Sequence, residues 1–465
     1  CVAVHPSKTM FAVGGKGFQP KIYIYSYPDL KIVNVLSGGA ERGYSNLSYN
    51  AHGTKLASVA TSPDFMLTVW DWKMETVELH SKAFGQDVFN VRFSKDDDRR
   101  LTTSGTGHIR FWKMASTFTG LKLQGSIGKF GKVELSDICA VDEMPDGKVV
   151  SGTETGSLLL WEGNFIKCRF VQVGGKQCHE GEITYIELDR KEKCLITAAA
   201  DGMIRWWDYE AIDSAEVDAD ITLDFELFPV AEYRLGKGTR VNQMVDCGTK
   251  GSTRTFVIHD ADGKAQVVKF QLSEEGGSLS KSVAALAGGD EATEVAAAPE
   301  TTVLSEFHAG AIRGLVTIPG AHMAVTAGMD GTVRCWNYVT REVLCTRKFR
   351  CGATSLKYVP KVLNNDMDTD GKHVIVGFED GVVRVLCIGS DPDQPGKVTL
   401  RSRCVIKPHS AEIIDIAFDS TGATVATASK DGTVFLLKTT KLPEQKTEGY
   451  SWAPIRFFGT VPGAT

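Results

Sequence analysis

The stretch His308–Trp336, HAGAIRGLVTIPGAHMAVTAGMDGTVRCW, contains a histidine at its start, two candidate threonine hydroxyls and an aspartate that precedes a glycine. These groups are His308, Thr317, Thr326 and Asp330, and they could supply a base, a nucleophile and an orienting carboxylate. An enzyme needs one such constellation, whereas a structural device can be repeated. The number of copies in the chain therefore separates the two interpretations.

The same spacing occurs in three segments. A His stands 22 residues before the Asp of an Asp-Gly, a Thr stands four residues before that Asp, and in two copies a Trp stands six residues after it. The three sets are His179–Thr197–Asp201–Trp207, His308–Thr326–Asp330–Trp336 and His409–Thr427–Asp431, with Leu437 in the Trp position of the third. Repetition favours a structural role over catalysis.

The residues between these landmarks are short β-branched and aromatic runs separated by turns, which is typical of strands joined by Asp-Gly hairpins. Weaker copies bring the total to nine units, at 1–27, 46–73, 88–113, 136–163, 178–208, 254–270, 307–337, 371–388 and 408–438. A period of about 40–45 residues with insertions is typical of four-stranded propeller blades. The sequence therefore predicts an all-β β-propeller fold.

Propellers commonly close with four to eight blades, so nine units predict one ring of about seven blades plus part of a second ring. A single large ring is the alternative. Units one to six occupy 1–270 and units seven to nine occupy 306–440, separated by a Gly/Ala/Ser/Glu-rich stretch, 271–305, that we expect to be a flexible insertion. The tail 441–465 contains one possible strand, Pro454–Gly459, which could complete a blade by pairing with a distant segment.

Composition excludes several classes of function. The net charge of the 465-residue chain is −5, which argues against a nucleic-acid ligand. The absence of a run of 18 or more apolar residues argues against membrane insertion. Eleven cysteines without a C-x-x-C pair indicate reduced thiols rather than disulfides or a zinc site. We expect no cofactor, no metal and no catalytic residue, and the missing initiator methionine suggests a piece of a longer chain.

The repeat resembles that of the WD-repeat family. In that family the His, Ser/Thr, Asp and Trp of a blade form a buried hydrogen-bond chain. The resemblance implies two such structural tetrads here, His179–Thr197–Asp201–Trp207 and His308–Thr326–Asp330–Trp336. The chemistry is consistent with this, because an ionised Asp only accepts protons while imidazole, hydroxyl and indole groups can donate them. We expect the other units, which lack the full set, to be held mainly by apolar packing.

The family commonly binds partners through loops at one rim of the propeller. The residue before each turn Asp lies on such a loop, and so does the loop that enters the first strand of each unit. This predicts a partner-binding rim that includes Ala200, Met329 and Lys430 together with Glu182, Ala311 and Glu412.

Two further resemblances are narrower. AVHP (3–6), ERGYSNLSY (41–49) and MLTVWDWK (66–73) look like the first propeller of echinoderm-type microtubule-associated proteins. The strings LTTSGTGHIRFWKMASTFTGLKLQGSIGKFG (101–131), MPDGKVVSG (144–152) and LLLWEG (158–163) resemble a WD-repeat family of cilia- and flagella-associated proteins.

The second resemblance implies a non-enzymatic scaffold of the ciliary axoneme that tethers an inner-arm dynein motor domain to the doublet microtubule. Its expected partners are the inner-arm dynein heavy chain, companion WD-repeat ciliary scaffold subunits and the doublet. A general cytosolic WD-repeat interaction scaffold and a direct microtubule-associated protein are the alternatives.

Overall fold

The computed structural model describes residues 1–118, 120–218, 221–236, 239–271, 299–360, 372–391, 394, 396–441 and 450–459. Within these ranges the secondary structure consists of strands and one short helix, and the strands form nine sheets. Each sheet contains four antiparallel strands in chain order, with extra strands only in the fourth. The prediction of an all-β fold with about nine propeller blades is confirmed.

Blade 1 contains β1 (Val2–Val4), β2 (Met10–Gly14), β3 (Ile22–Ser26) and β4 (Ile32–Leu36). Blade 2 contains β5 (Tyr44–Tyr49), β6 (Leu56–Ala60), β7 (Met66–Asp71) and β8 (Thr76–Lys82). Blade 3 contains β9 (Val88–Phe93), β10 (Arg100–Gly105), β11 (His108–Thr117) and β12 (Gly120–Ile127).

Blade 4 contains β13 (Ile138–Glu143), β14 (Val149–Thr153), β15 (Leu158–Glu162), β16 (Phe165–Gln172) and β17 (Lys176–Gln177). Blade 5 begins with β18 (Ile183–Asp189), β19 (Cys194–Ala199) and β20 (Met203–Asp208), continues through the helix α1 (Tyr209–Asp213) and β21 (Asp224–Glu226), and ends with β22 (Pro229–Arg234). Blade 6 contains β23 (Val241–Lys250), β24 (Thr253–Asp260), β25 (Lys264–Gln271) and β26 (Glu300–Glu306).

Blade 7 contains β27 (Ile312–Ile318), β28 (Met323–Gly328), β29 (Thr332–Asn337) and β30 (Glu342–Lys348). Blade 8 contains β31 (Ala353–Tyr358), β32 (Lys372–Phe378), β33 (Val383–Ser390) and β34 (Val398–Ile406). Blade 9 contains β35 (Ile413–Phe418), β36 (Thr424–Ser429), β37 (Val434–Lys441) and β38 (Tyr450–Phe458).

The chain divides into two compact units, residues 1–261 with 265–302 and residues 262–264 with 303–465. Blades 1 to 5 and most of blade 6 belong to the first unit, and blades 7 to 9 belong to the second. In each unit the hydrophobic clusters lie between consecutive blades, because a sheet with two apolar faces must bury both against neighbours. Trp206, for example, is fully buried with Phe256 and Phe270 between blades 5 and 6.

The turn between the second and third strands of a blade requires glycine where the neighbouring loop approaches closely. Gly202 has φ 76°, and a Cβ there would lie 2.2 Å from the Thr239 carbonyl oxygen. Gly331 has φ 75° with the Phe349 carbonyl oxygen at 2.7 Å from the same position. Glycine populates this backbone region without steric cost, which explains the repeated Asp-Gly.

Blade 5 departs from the regular pattern. Its third and fourth strands are joined by α1 and β21 instead of a tight turn, and β21 pairs parallel with β16 at the outer edge of blade 4. Asp208 begins α1 by accepting a hydrogen bond from the Ala211 amide. Arg169 of β16 donates two hydrogen bonds to Asp224 of β21, at 2.7 and 2.8 Å. The connection therefore covers an edge that would otherwise be unpaired.

The structure corrects two expectations about segments. The stretch 271–305 is not wholly an insertion, since Glu300–Glu306 is the fourth strand of blade 6, while its residues 272–298 lie outside the described residues. The strand in the tail 441–465 spans Tyr450–Phe458 and pairs with β37, the strand directly before it, rather than with a distant segment. Pairing with the preceding strand is favoured over pairing with a distant one, because closing the shorter loop costs less entropy. In the part of the chain that the structure describes, no helix is long and apolar enough to cross a bilayer.

Candidate functional site

The four groups of the first predicted tetrad lie together in blade 5. Nδ1 of His179 is 3.0 Å from a carboxylate oxygen of Asp201, and its Nε2 is 2.8 Å from the Thr197 hydroxyl. The same hydroxyl accepts the indole N–H of Trp207 at 2.8 Å. Adjacent strands bring these groups into contact, since Thr197 lies on β19, Trp207 on β20, and the other two on loops at one end of the sheet.

The hydrogen-bond roles in this chain follow from charge. Burial opposes ionisation of Asp201, but hydrogen bonds from His179 and from the Met203 and Glu180 amides outweigh it, so the pKa of Asp201 lies well below its ordinary value. Burial lowers the pKa of His179. We therefore assign a neutral imidazole that donates from Nδ1 to Asp201 and accepts the Thr197 hydroxyl proton at Nε2.

Blade 7 repeats the arrangement. His308 Nδ1 is 3.1 Å from Asp330, its Nε2 is 2.7 Å from the Thr326 hydroxyl, and Trp336 Nε1 donates to that hydroxyl at 2.7 Å. The Thr332 hydroxyl adds a donor to Asp330 at 2.8 Å. Burial raises the pKa of Asp330, but hydrogen bonds from the Thr332 amide and from His308 lower it by more than burial raises it. The pKa of Asp330 is therefore below its ordinary value.

Blade 9 keeps three of the four groups. His409 Nε2 is 2.9 Å from the Thr427 hydroxyl and its Nδ1 is 3.4 Å from Asp431. Leu437, in the Trp position, is buried in the apolar cluster between blades 8 and 9. The polar chain thus ends at Thr427.

The sequence reasoning missed three further tryptophan–hydroxyl pairs. Blades 2, 3 and 4 were expected to rely mainly on apolar packing, yet a buried indole donates to a buried hydroxyl in each one. The pairs are Trp70–Ser58 at 2.8 Å, Trp112–Thr103 at 2.9 Å and Trp161–Ser151 at 2.8 Å. Their separations are 12, 9 and 10 residues, and the last equals the separation in the tetrads. These blades lack the Asp-Gly of the tetrads at the corresponding turn, so the repeated pattern did not reveal the pairs.

It also missed an arginine that recurs beside these chains. Arg205 donates to the Cys178 carbonyl at 2.8 Å and to Asp201 at 3.2 Å. Arg334, 1% exposed, lies 3.9 Å from Asp330 and donates to the Asp262 carbonyl at 3.2 Å. The signal was present in the sequence as the repeated strings GHIR, GMIR, GTVR and GVVR, in which an Arg follows the turn Gly by three residues.

The six predicted rim residues meet in pairs. The Ala200 amide donates to the Glu182 carbonyl at 2.8 Å, and the pairs Met329–Ala311 and Lys430–Glu412 repeat this bond at 2.9 Å each. Equivalent bonds join Thr61 to Gly43, Thr106 to Asp87, Glu154 to Asp137, Ala261 to Arg240 and Glu379 to Gly352. In blades 2 to 9, two loops are therefore held together at the same end of the sheet.

The side chains on this rim differ in what they offer a partner. Glu182, Ala311 and Lys430 are exposed, while Ala200, Met329 and Glu412 are half-buried. Lys430 forms a 2.5 Å ion pair with Glu412, so this pair is already neutralised. Glu182 and Met329 are the more available charged and apolar contacts.

The tetrads are poor candidates for catalysis. The side chains of His179 and Asp201 are 0% and 7% exposed, so a substrate could not reach them without local unfolding. Among the described residues, no group of three or more His, Cys, Asp and Glu is placed to hold a metal ion.

A cavity of about 440 Å³ in the first unit is lined by residues of the innermost strands of blades 2, 3, 5 and 6, including Asn90, Arg92 and Glu187.

Comparisons with known proteins agree with this geometry. Residues 1–246 match the family of the echinoderm microtubule-associated protein first β-propeller. Residues 301–337 and 400–436 match the WD domain, G-beta repeat. The first match covers more than half of the chain.

The chain is 40% identical over 470 aligned residues to cilia- and flagella-associated protein 44 of Mus musculus, covering 99% of this chain and 23% of the relative. It is 39% identical to the protein of the same name from Chlamydomonas reinhardtii, over 96% of this chain and 24% of the relative. It is 26% identical to echinoderm microtubule-associated protein-like 4 of Homo sapiens, over 75% of this chain and 32% of the relative.

The chain thus spans about a quarter of the length of the cilia- and flagella-associated relatives. Almost all of its own residues align with them, including blades of both units. The chain belongs to the echinoderm microtubule-associated protein first β-propeller family and is a WD-repeat relative of cilia- and flagella-associated protein 44, with a ciliary or flagellar localisation.

Proposed function

We propose that the chain is a non-enzymatic scaffold of the axoneme that helps to tether an inner-arm dynein motor domain to the doublet microtubule and so regulates ciliary beating. The observation that carries this proposal is the alignment of nearly the whole chain with cilia- and flagella-associated relatives at 39–40% identity. The inner-arm dynein heavy chain, companion WD-repeat scaffold subunits and the doublet are the proposed partners.

A physical argument supports a scaffold. Buried polar chains such as the one from Asp201 to Trp207 satisfy groups that would each cost about 1–3 kcal/mol if left unpaired, and they hold the two rim loops of a blade in one conformation. Rigid loops lose little entropy when a partner binds them. A specific contact would need on the order of 1,000 Å² of buried surface, which several neighbouring rim loops can supply together.

Co-sedimentation tests the proposal. The 465-residue chain is sedimented with salt-stripped axonemal doublets and, in parallel, with microtubules assembled from purified tubulin. Binding to doublets that exceeds binding to bare microtubules supports docking through axonemal companions. Binding to neither would contradict the proposal and favour a general interaction scaffold.

Rim variants connect binding to the proposed surface. We expect Glu182→Lys and Met329→Glu to weaken doublet binding without lowering the melting temperature, because both side chains reach solvent at the rim. Glu342→Gln, at the opposite end of blade 7, is the matched control. If the two rim variants bind doublets as tightly as the Glu342→Gln control, this rim is not the docking surface.

A further inference from the structure

One segment of this acidic chain is exclusively basic. Between Arg99 and Val133 the sequence contains seven Lys and Arg and no Asp or Glu, although the whole chain has a net charge of −5. Most of this segment forms the hairpin of β11 and β12 in blade 3. A local positive field on an acidic protein marks a surface for a negatively charged partner.

The hairpin is unusually long for its unit. β11 has ten residues, whereas the third strands of blades 1, 2, 4 and 5 have five or six. The pairing continues five residues beyond Trp112, from Lys113 opposite Gln124 to Thr117 opposite Gly120. At about 3.4 Å per residue, this extension projects roughly 17 Å past the tryptophan.

The base of the extension is anchored. Met114 is 3% exposed and packs in the cluster between blades 2 and 3, and Leu123 packs against the same cluster. The Met114 amide donates to the Arg99 carbonyl at 2.8 Å, which joins the hairpin to the turn between β9 and β10. The Thr117 hydroxyl donates to the Gly120 carbonyl at 2.7 Å and closes the far end.

The exposed side chains of this region form what we call the hairpin patch, which consists of Arg99, Lys113, Phe118, Leu121 and Lys122. The Phe118 side chain is fully exposed, and Leu121 is 39% exposed. Lys113 and Lys122 share one face of the hairpin, since Lys122 pairs with Ala115, two residues beyond Lys113. Leu121 pairs with Ser116 and so lies on the opposite face of the hairpin. The far end of the hairpin therefore offers an exposed aromatic ring, Phe118, with two lysines on one face behind it.

The cations of the hairpin patch have no ion-pair partner among the described residues. The nearby carboxylates are already engaged. Asp97 pairs with Arg100 at 3.4 Å, and Asp98 contacts His52 at 2.7 Å. Arg110, in the same basic run, is also committed, because it lies over the Trp112 ring and donates to the Ala83 carbonyl at 3.1 Å. Two of these three unpaired cations, Lys113 and Lys122, lie on the hairpin extension, and Arg99 lies beside its base.

We propose that the hairpin patch docks on an acidic protein surface and that Phe118 inserts into an apolar hollow of that surface. This inference rests on the proposed function, and among the partners proposed there it commits to the doublet, whose tubulin lattice would supply the acidic surface. Charge complementarity supports it, because Lys and Arg steer association with an acidic surface and the apolar tip then supplies short-range affinity.

Microtubule co-sedimentation at 50 mM and 150 mM salt tests the inference. We expect the double variant Lys113→Glu with Lys122→Glu to weaken binding of the 465-residue chain at least tenfold at 50 mM salt, which corresponds to about 1.4 kcal/mol. Phe118→Ser should weaken it severalfold at both salt concentrations. The effect of the charge reversal should shrink at 150 mM, because salt screens exposed charges.

The control is Lys8→Glu with Lys31→Glu, which makes the same change in charge on exposed turns of blade 1 at the corresponding end of its sheet. All variants should keep the wild-type melting temperature. If the hairpin variants bind microtubules as tightly as the wild-type chain does, the inference is overturned and the proposed function stands. So would binding of the wild-type chain to doublets but not to tubulin microtubules. Binding to neither would instead overturn the proposed function.

Discussion

The indole Nε1 of Trp207 donates to the Thr197 hydroxyl across 2.8 Å in the buried interior of blade 5. The same oxygen is 2.8 Å from Nε2 of His179, so one hydroxyl serves two polar groups that have no access to water. Ser58, Thr103 and Ser151 serve a tryptophan in the same way in blades 2 to 4. The hydroxyl–indole bond is therefore the most widely repeated part of the polar chain.

Thr197→Val should lower the free energy of unfolding by about 2–4 kcal/mol, because it keeps the side-chain volume but leaves the Trp207 and His179 nitrogens unpaired. Urea unfolding followed by tryptophan fluorescence measures the change. Thr197→Ser, which retains the hydroxyl, is the matched control and should lose much less. Equal losses for the two variants would contradict a role for the hydroxyl.

Acidification should destabilise blade 5. Burial holds the pKa of His179 below its ordinary value of 6.5, so the unfolded chain binds a proton in a range where the folded chain does not. Stability that is present above pH 6.5 is consequently lost as the pH falls below it, and the lowered pKa of Asp201 adds a further loss below pH 3.8.

Urea unfolding at pH 7.5, 6.0 and 5.0 measures this dependence. His179→Gln should have a smaller decrease in stability between pH 7.5 and 5.0 than the wild-type chain, because the titrating imidazole is gone. An unchanged pH dependence in the variant would show that other groups cause it.

Gly152→Ala should disturb the contact between blades 4 and 5. A Cβ at this position would lie 2.6 Å from Ile183 of the next blade. Overpacking of this kind costs about 1–3 kcal/mol, since either the side chain or the backbone must shift. Thermal unfolding should show a lower Tm for Gly152→Ala. Gly85→Ala, where no atom lies within 4 Å, is the control and should leave the Tm almost unchanged.

Arg254→Met should destabilise the junction of blades 5 and 6. Arg254 is 5% exposed and forms ion pairs with Asp189 of blade 5 and Asp246 of blade 6. Removing one partner of a buried ion pair costs about 3–5 kcal/mol, because the remaining carboxylates lose their counter-charge. Chemical denaturation measures the loss.

The control for this junction is Lys193→Met, which removes an exposed ion pair with Glu210 and should cause little change. Comparable losses in the two variants would mean that burial does not govern the strength of the Arg254 pairs. Both substitutions replace a cation by the same uncharged side chain, and the two sites differ in burial and in the number of carboxylates that lose a partner.

Much of the fold could be predicted because its signals are local in sequence. The 22-residue interval from His308 to Asp330 spans two neighbouring strands, and the alternation of side chains along each strand decides which face they occupy. Asp-Gly turns add a second local signal. The nine units and the repeated positions of His, Thr, Asp and Trp follow from these patterns, while the hydrogen-bond chain that joins the four groups was implied by the resemblance to the WD-repeat family.

Other features were decided only by the tertiary structure. The Trp70–Ser58 pair has a separation of 12 residues instead of 10 because its turn is longer, and cross-strand register, not spacing, brings the two groups together. The ion pair of Arg254 with Asp189 joins residues 65 positions apart in neighbouring blades. The parallel pairing of β21 with β16 likewise depends on the packing of blade 5 against blade 4, which places the connection that contains β21 beside the outer strand of blade 4.

The sequence by itself determined the repeat, the strand faces and the repeated His, Thr and Asp positions, because strand periodicity and turn chemistry act over a few residues. Only the tertiary structure decided which blades share ion pairs, which edges are covered and where the basic hairpin projects. Those outcomes depend on packing between sheets, where burial and the distance between charges set the free energy of each contact.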